Sequence, residues 1–156
     1  MQLSLHSDYA LRVLIYLGTH PGRKVSTREI SDAFGISKHH LVRVVQTLGQ
    51  HGYVHVMPGR AGGVTLAKEP EGIRLGNVIR DAEPDLRLVE CFHRQTDTCP
   101  ITPVCKLKLY LNDALNAFLD SLNEKSLADI LAQGGFEDLA QVFVKIGAMK
   151  LGASAG

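Results

Sequence analysis

The sequence lacks the features that would mark it as a membrane protein, a secreted protein or a common type of enzyme. No run approaches the ~20 apolar residues that a helix needs to cross a bilayer, and charges at Asp8 and Arg12 precede any apolar run, unlike a secretory signal. No C-x-x-C pair, nucleotide-binding glycine loop or base–nucleophile arrangement is present. We therefore expect a cytoplasmic protein that is not an enzyme.

Cysteine is scarce, and its number is odd. The three cysteines are Cys91, Cys99 and Cys105, and three thiols cannot all pair within one chain. In a reducing cytoplasm this favours a metal, redox or buried-thiol role over a disulfide framework.

The near-neutral total charge hides two halves of opposite sign. The 156 residues carry a net charge of +1, yet residues 1–68 hold eight lysines and arginines against three acids. Residues 69–156 hold nine against thirteen, and six of the seven histidines fall in the first half. Such asymmetry indicates that the basic end meets a polyanion.

Apolar periodicity and cap residues predict a helix-turn-helix near the start of the chain. A first helix, capped by Ser7, ends before His20. Ser26 and Glu29 form a capping-box pattern before a second helix that Gly35 ends, and Ser37 caps a third helix. A short helix, a turn containing glycine and another helix are typical of a DNA-binding motif.

A predicted β-hairpin follows the third helix. Residues 53–56 and 64–66 alternate as strands around a glycine-rich loop with Arg60 at its tip. We therefore expect a mostly α fold with a small β-hairpin wing, a winged helix-turn-helix DNA-binding domain over residues 1–68.

The exposed start of the third helix is the candidate recognition surface for double-stranded operator DNA, because such a helix enters the major groove with its first turns. Arg60 suits a phosphate or a narrow minor groove. The candidate DNA-binding residues are Arg28, Ser37, Lys38, His39, His40, Arg43 and Arg60.

The second half of the chain is predicted to form helices and a loop that follow this domain. Residues 69–104 are expected to hold a connecting helix and a polar loop with two of the cysteines. Residues 105–133 hold a long helix whose wide apolar stripe, Leu107 to Leu122, predicts a homodimer interface. Ser126 caps a last short helix, and residues 134–156 form a C-terminal tail with one amphipathic stretch.

The cysteine spacing, C-x7-C-x5-C, indicates a metal site without fixing the metal. A polar loop can fold three thiolates around one centre, and a helix beginning at Cys105 would stabilise a thiolate. The paired knuckles of zinc sites are absent, although His93 could complete a Cys3His set. An iron–sulfur cluster, zinc and inert thiols stay open, in that order of preference.

Three segments carry a resemblance to a known family. The run from Met1 to Arg12, the wing segment 59–66 and the segment Val89 to Phe92 resemble the bacterial iron–sulfur winged-helix repressors. The resemblance covers roughly residues 1–130 and is strongest to the nitric-oxide-sensing, NsrR-type members of this family, which also includes IscR-type members.

The resemblance implies a set of cluster ligands. IscR-type members carry a histidine three residues after the third cysteine, where this sequence has Lys108. NsrR-type members with a 4Fe–4S cluster use three cysteines and an aspartate of the partner subunit, which implies Cys91, Cys99, Cys105 and Asp8. Arg12 would orient that carboxylate. A 2Fe–2S cluster and His93 as fourth ligand stay open.

The resemblance also implies a function. It indicates a homodimeric repressor of transcription that loses operator affinity when nitric oxide nitrosylates its cluster. A regulator of cluster-assembly genes that responds to iron–sulfur or redox status is the alternative in the same class. A zinc-stabilised DNA-binding protein that senses nothing is a further hypothesis. A redox enzyme is disfavoured, because the C-x-x-C pair, the nucleotide-binding glycine loop and the base–nucleophile arrangement are missing.

Overall fold

The structure, a computed structural model, describes residues 2–59, 62–132 and 138–146. Within them the named helices are α1 (Leu5–Gly18), α2 (Thr27–Phe34), α3 (Lys38–Gln50), α4 (Leu75–Ala82), α5 (Lys106–Asn123) and α6 (Leu127–Ala132). Strands β1 (Val54–Met57) and β2 (Gly63–Leu66) pair antiparallel, with Val54 opposite Leu66. The predicted mostly helical fold with a two-stranded wing is confirmed. No helix in these three ranges is long and apolar enough to span a membrane.

Local cap chemistry sets the ends of α2 and α3 as predicted. The Ser26 hydroxyl accepts a hydrogen bond from the Glu29 amide at 3.1 Å, and the Ser37 hydroxyl accepts one from the His40 amide at 3.3 Å. Gly35 ends α2 with a φ of 67°, which a residue with a Cβ adopts only under strain. The Glu29 side chain does not complete the expected capping box, because its carboxylate accepts from Tyr16 and Arg23 instead.

The predicted start of α1 was wrong by three residues. Ser4 is the N-cap, and its hydroxyl accepts a hydrogen bond from the Ser7 amide at 3.3 Å. Ser7 lies inside the first turn, is fully buried and donates to the Glu83 carboxylate at 2.6 Å. The earlier start follows from a tertiary contact that short-range pattern does not show, because the carboxylate also accepts from the Ser4 amide.

One hydrophobic core joins the winged helix to the helices that follow it. Apolar side chains of α1, α2, α3, α4, α6 and β2 pack in a single cluster. Its fully buried members include Leu14, Ile30, Leu41, Val64, Val78 and Leu127. Helices α4 and α6 therefore share the core of residues 1–68, and the boundary at residue 68 stays a sequence-based prediction.

Helix α5 uses only part of its predicted apolar stripe within the chain. Its C-terminal half packs on α4, and Leu119 is 2% exposed. Its N-terminal half turns large apolar side chains to solvent, since Leu107, Leu109 and Tyr110 are each about three-fifths exposed. These three side chains are therefore largely uncovered by the described residues.

The close approach of α4 and α5 leads to a stability prediction. A Cβ at Gly76 would lie 2.2 Å from the Leu119 carbonyl oxygen and 2.7 Å from Asn123 Oδ1. We expect Gly76→Ala to lower the free energy of unfolding by about 2 kcal/mol, because the helices must separate to admit the methyl group. Urea denaturation followed by circular dichroism measures this, with Gly72→Ala as control, since nothing lies within 4 Å of a Cβ there. If Gly76→Ala were as stable as Gly72→Ala, the close packing of α4 on α5 at Gly76 would be contradicted.

Part of the predicted amphipathic tail is helical and packed. Residues 138–146 form a helix, and its Leu139 and Phe143 lie against the core. The Phe143 ring centroid is 4.7 Å from that of Tyr16 and 5.3 Å from that of Phe34. Phe136 and the ranges 133–137 and 147–156 lie outside the described residues.

Candidate DNA-binding surface and cysteine segment

Helix α3 has the two faces that a recognition helix needs. Leu41, Val44, Val45 and Leu48 are buried. The structure brings the predicted contact residues Ser37, Lys38, His39, His40 and Arg43 together as exposed side chains at the cap and in the first two turns. Sequence reasoning missed Val42 and Gln46, which are also exposed on α3. The available signal was the spacing of three residues between Val42 and His39 and between Gln46 and Arg43.

Helix α1 packs against α3. His6 Nε2 lies 3.1 Å from Thr47 Oγ1, and the Tyr9 ring centroid is 6.3 Å from that of His40. A displacement of α1 therefore acts directly on both ends of the recognition helix.

Arg28 lies apart from α3, on α2. Its side chain is 84% exposed, and its pair with Asp32 spans 3.9 Å. An ion pair this exposed and this long contributes little to stability. The guanidinium is therefore available to a phosphate group.

The wing turn requires glycine at two positions. Gly59 has a φ of 99°, and a Cβ at Gly62 would lie 2.1 Å from the Met57 carbonyl oxygen. Both conditions exclude other residues without a change of backbone. Arg60, the predicted DNA contact at the wing tip, lies outside the described residues, and its role stays a prediction.

The three cysteines lie on the segment 84–105, here called the cysteine segment, which connects α4 to α5. Cys91 is in a 3-10 turn, Glu90–Phe92, and Cys105 is the N-cap of α5, which confirms that a helix begins there. All three thiols are free and half-buried. No residue of the segment is buried, so its conformation does not depend on core packing.

Hydrogen bonds among its own polar groups hold the cysteine segment. Asp97 Oδ1 accepts from the Cys99 amide at 3.1 Å and from Thr102 Oγ1 at 2.9 Å. Hydrogen bonds from Arg87 lower the pKa of Asp85 to about 2, so this pair stays charged at neutral pH. Such surface contacts are weak singly.

The single chain does not close the cysteines around one centre. No three His, Cys, Asp or Glu side chains in the described part lie close enough together to hold a metal ion, and His93 is exposed. The chemistry of the donor set nevertheless fits an iron–sulfur cluster, because three free thiols are soft ligands. The absence of buried residues lets them converge without loss of core packing.

Asp8 lies in the first turn of α1, apart from these thiols in sequence. Arg12 Nη2 is 2.7 Å from one carboxylate oxygen of Asp8, and Arg12 Nε donates to the other at 3.1 Å. The guanidinium carbon lies 5.9 Å and 6.0 Å from the ring centroids of Tyr9 and Phe34. Arg12 therefore forms an ion pair with Asp8, while its orienting role and the ligand role of Asp8 stay predictions.

Glu83 is a structural residue that sequence reasoning missed. Its Oε2 atom accepts from the Ser4 amide at 3.0 Å and from Ser7 Oγ at 2.6 Å. Glu83 is the C-cap of α4 and directly precedes the cysteine segment. It therefore ties the start of α1 to the start of that segment. A separation of 79 residues from Ser4 leaves no local signal.

The fold, the exposed recognition helix and the wing together define a winged-helix DNA-binding protein with an appended cysteine-bearing segment. The family model described as "Rrf2: Iron-dependent Transcriptional regulator" matches residues 3–133. The chain belongs to the Rrf2 family, and it is a transcriptional regulator and not an enzyme.

Relatives and solved structures agree with this assignment. The chain is 46% identical over 132 residues to the HTH-type transcriptional regulator NsrR of Bacillus licheniformis, covering 84% of this chain and 92% of that protein. It is 44% identical to NsrR of Bacillus subtilis, covering 84% and 90%. These similarities confirm the resemblance drawn from the sequence.

Two solved structures support the fold. CymR, the global cysteine regulator of B. subtilis, is 28% identical with a TM-score of 0.61 over 85% of this chain and 97% of that one. IscR of T. potens superposes with a TM-score of 0.67 over 86% and 88% at 24% identity, which supports the fold alone.

Proposed function

We propose that the protein is a homodimeric repressor that senses nitric oxide through an iron–sulfur cluster and releases operator DNA in response. One observation carries the proposal: three free thiols lie on a segment without buried residues, directly joined to a winged helix. Identity of 42–46% to proteins named NsrR supports the signal. The proposed location is the cytoplasm, where operator DNA is.

Cys91, Cys99 and Cys105 would hold the cluster, with Asp8 of the partner subunit as fourth ligand. When bound, a 4Fe–4S cluster supplies iron that reacts with nitric oxide. A carboxylate oxygen is a harder and weaker ligand for iron than a thiolate. The Asp8 corner would therefore be the corner most open to a small molecule.

The exposed N-terminal half of α5 supports the dimer. Val104, just before α5, is 82% exposed, and Leu107, Leu109 and Tyr110 are each about three-fifths exposed, so four large apolar side chains near this end of the helix face solvent. Monomeric proteins rarely leave such a surface uncovered. A second copy of the chain, related by a two-fold axis, would bury it and match the symmetry of an operator.

The proposed switch works through the position of α1. Asp8, held by Arg12, would tie α1 of one subunit to the cysteine segment of the other. Through the contact of His6 with Thr47, that bond would fix α3 as well. Two recognition helices held about 34 Å apart read successive major grooves, and loss of the Asp8 bond frees them.

Anaerobic DNA titration tests the proposal. A palindromic duplex is first selected from a random-sequence library with the iron-loaded protein, and its affinity is then measured before and after addition of dissolved nitric oxide. We expect the affinity to fall by about tenfold or more, a usual size for coupling between two sites. A colourless protein with stoichiometric zinc, or an affinity that nitric oxide does not change, would contradict the proposal.

Asp8→Ala provides a separate test of the fourth ligand. The variant should keep iron bound by three cysteines, yet lose operator affinity by about tenfold, because the link between subunits is gone. Arg12→Ala is the comparison, since it breaks the same ion pair but leaves the carboxylate in place. Metal analysis and fluorescence anisotropy measure both effects. If Asp8 acts only as an acid in a first helical turn, worth about 0.3–1 kcal/mol of helix stability, Asp8→Ala will lose no more operator affinity than Arg12→Ala.

A further inference from the structure

Tyr53 stands where the recognition helix meets the wing. Its amide donates to the Leu48 carbonyl of α3 at 2.9 Å, and its carbonyl accepts from the Ala67 amide, directly after β2, at 2.9 Å. The residue also leads directly into β1. The main chain of Tyr53 therefore fixes the end of α3 relative to both strands of the wing.

The side chain of Tyr53 connects this joint to α4. Tyr53 is 4% exposed, and its hydroxyl donates to Asp81 Oδ2 at 2.6 Å. Burial and this hydrogen bond raise the pKa of Tyr53 above its ordinary value, so the hydroxyl stays a donor. The same carboxylate oxygen is 3.6 Å from Nδ1 of His51, the C-cap of α3. One carboxylate thus bonds the Tyr53 hydroxyl and lies beside the C-cap of α3.

Asp81 lies in the last turn of α4, next to the cysteine segment. Val78 and Ala82 anchor this turn in the core, and Glu83 and Pro84 follow at once. The cysteine segment has no buried residue of its own. The segment is attached to the rest of the chain at two ends, α4 and α5, and the α4 end is the one that carries Asp81.

We propose that Asp81 is a positioning residue that transmits the state of the cysteine segment to the recognition helix and the wing through Tyr53. The proposal rests on the proposed function, because it assigns the internal route by which that signal reaches DNA. It acts within one subunit and is therefore separate from the Asp8 link between subunits. Coupling between distant sites is carried by packed side chains and hydrogen-bond networks of this kind, and measured coupling is what establishes a route.

Tyr53→Phe in the full-length, iron-loaded protein tests the route, with Tyr16→Phe as a matched control. Tyr16 is also buried, its hydroxyl also donates to a carboxylate, Glu29, at 2.9 Å, and these contacts raise its pKa to about 12. Its hydroxyl does not contact α4. Both variants lose one buried hydroxyl, and only one of them loses the link.

The quantity measured is the ratio of affinities for the selected duplex before and after nitric oxide. We expect this ratio to fall by about fivefold in Tyr53→Phe and in Asp81→Ala, and to stay unchanged in Tyr16→Phe. Asp81→Asn should recover part of it, because the amide oxygen still accepts from Tyr53. Affinity for a random duplex should not change in any variant, since none removes a phosphate contact.

Hydrogen exchange provides a readout that does not depend on DNA. In the parent protein, nitric oxide should speed amide exchange in the last turn of α3 and at Tyr53, and in Tyr53→Phe these amides should exchange fast with or without it. An unchanged affinity ratio in Tyr53→Phe, or an equal fall in Tyr16→Phe, overturns the route while the proposed function stands. A parent protein that does not respond to nitric oxide overturns both.

Discussion

Replacing any one of Cys91, Cys99 or Cys105 with alanine is expected to abolish cluster binding or to destabilise the cluster. The chain contains no fourth cysteine that could substitute, and an iron–sulfur cluster depends on its thiolate ligands. The fold should survive, because none of the three thiols is buried in the core. We expect the free energy of unfolding of the iron-free protein to change by no more than about 0.5 kcal/mol, as for other surface substitutions.

Anaerobic reconstitution with ferrous iron and sulfide measures this loss. Bound iron per chain and the broad absorbance of thiolate-bound iron near roughly 400 nm should fall in each cysteine variant. His93→Ala is the control, because it removes the other candidate ligand and should keep full iron. A cysteine variant with full iron content would show that this cysteine is not a ligand. Loss of iron in His93→Ala would indicate that His93, rather than Asp8, is the fourth ligand.

The second large effect is expected at the start of the recognition helix. The double variant Lys38→Ala/Arg43→Ala should lower operator affinity by about two orders of magnitude, because each base contact is worth about 1–3 kcal/mol. Both side chains are exposed on α3, so the fold and the bound iron should not change. Fluorescence anisotropy at several salt concentrations measures the affinity and separates base contacts from phosphate contacts.

Lys125→Ala is a control for the loss of positive charge away from α3, although it removes one charge and the double variant removes two. Lys125 is an exposed lysine after α5, and its loss removes one positive charge without a change to α3. Operator affinity should stay at the parent value in this variant. If Lys125→Ala weakens binding as much as the double variant does, net charge governs the interaction and α3 does not dock as a recognition helix.

Structural features that depend only on neighbouring residues were predicted correctly from the sequence. The caps at Ser26 and Ser37, the left-handed turn at Gly35 and the buried face of α3 all agree with the structure. A cap joins residues three apart, and an apolar face repeats every three to four residues. Such patterns are complete within one helix, so they can be recognised without knowledge of the fold.

Structural features that depend on distant residues were not predicted correctly from the sequence. The cap of α1 was assigned to Ser7, and Glu29 was expected to bond back to the Ser26 amide. Ser7 instead donates to Glu83, and the Glu29 carboxylate is taken by Tyr16 and Arg23. In both places a tertiary partner competes with the local one. A buried polar group bonds whichever partner the fold brings to it.

The sequence by itself determined the winged helix, the outward face of α3 and the set of three cysteines, because residue type and spacing along the chain specify each of them. Only the tertiary structure decided that Glu83 holds the start of α1 and that Tyr53 joins α3 and the wing to Asp81. These contacts span 79 and 28 residues. The packing of the core brings such carboxylates and hydroxyls together, and no spacing rule relates residues so far apart.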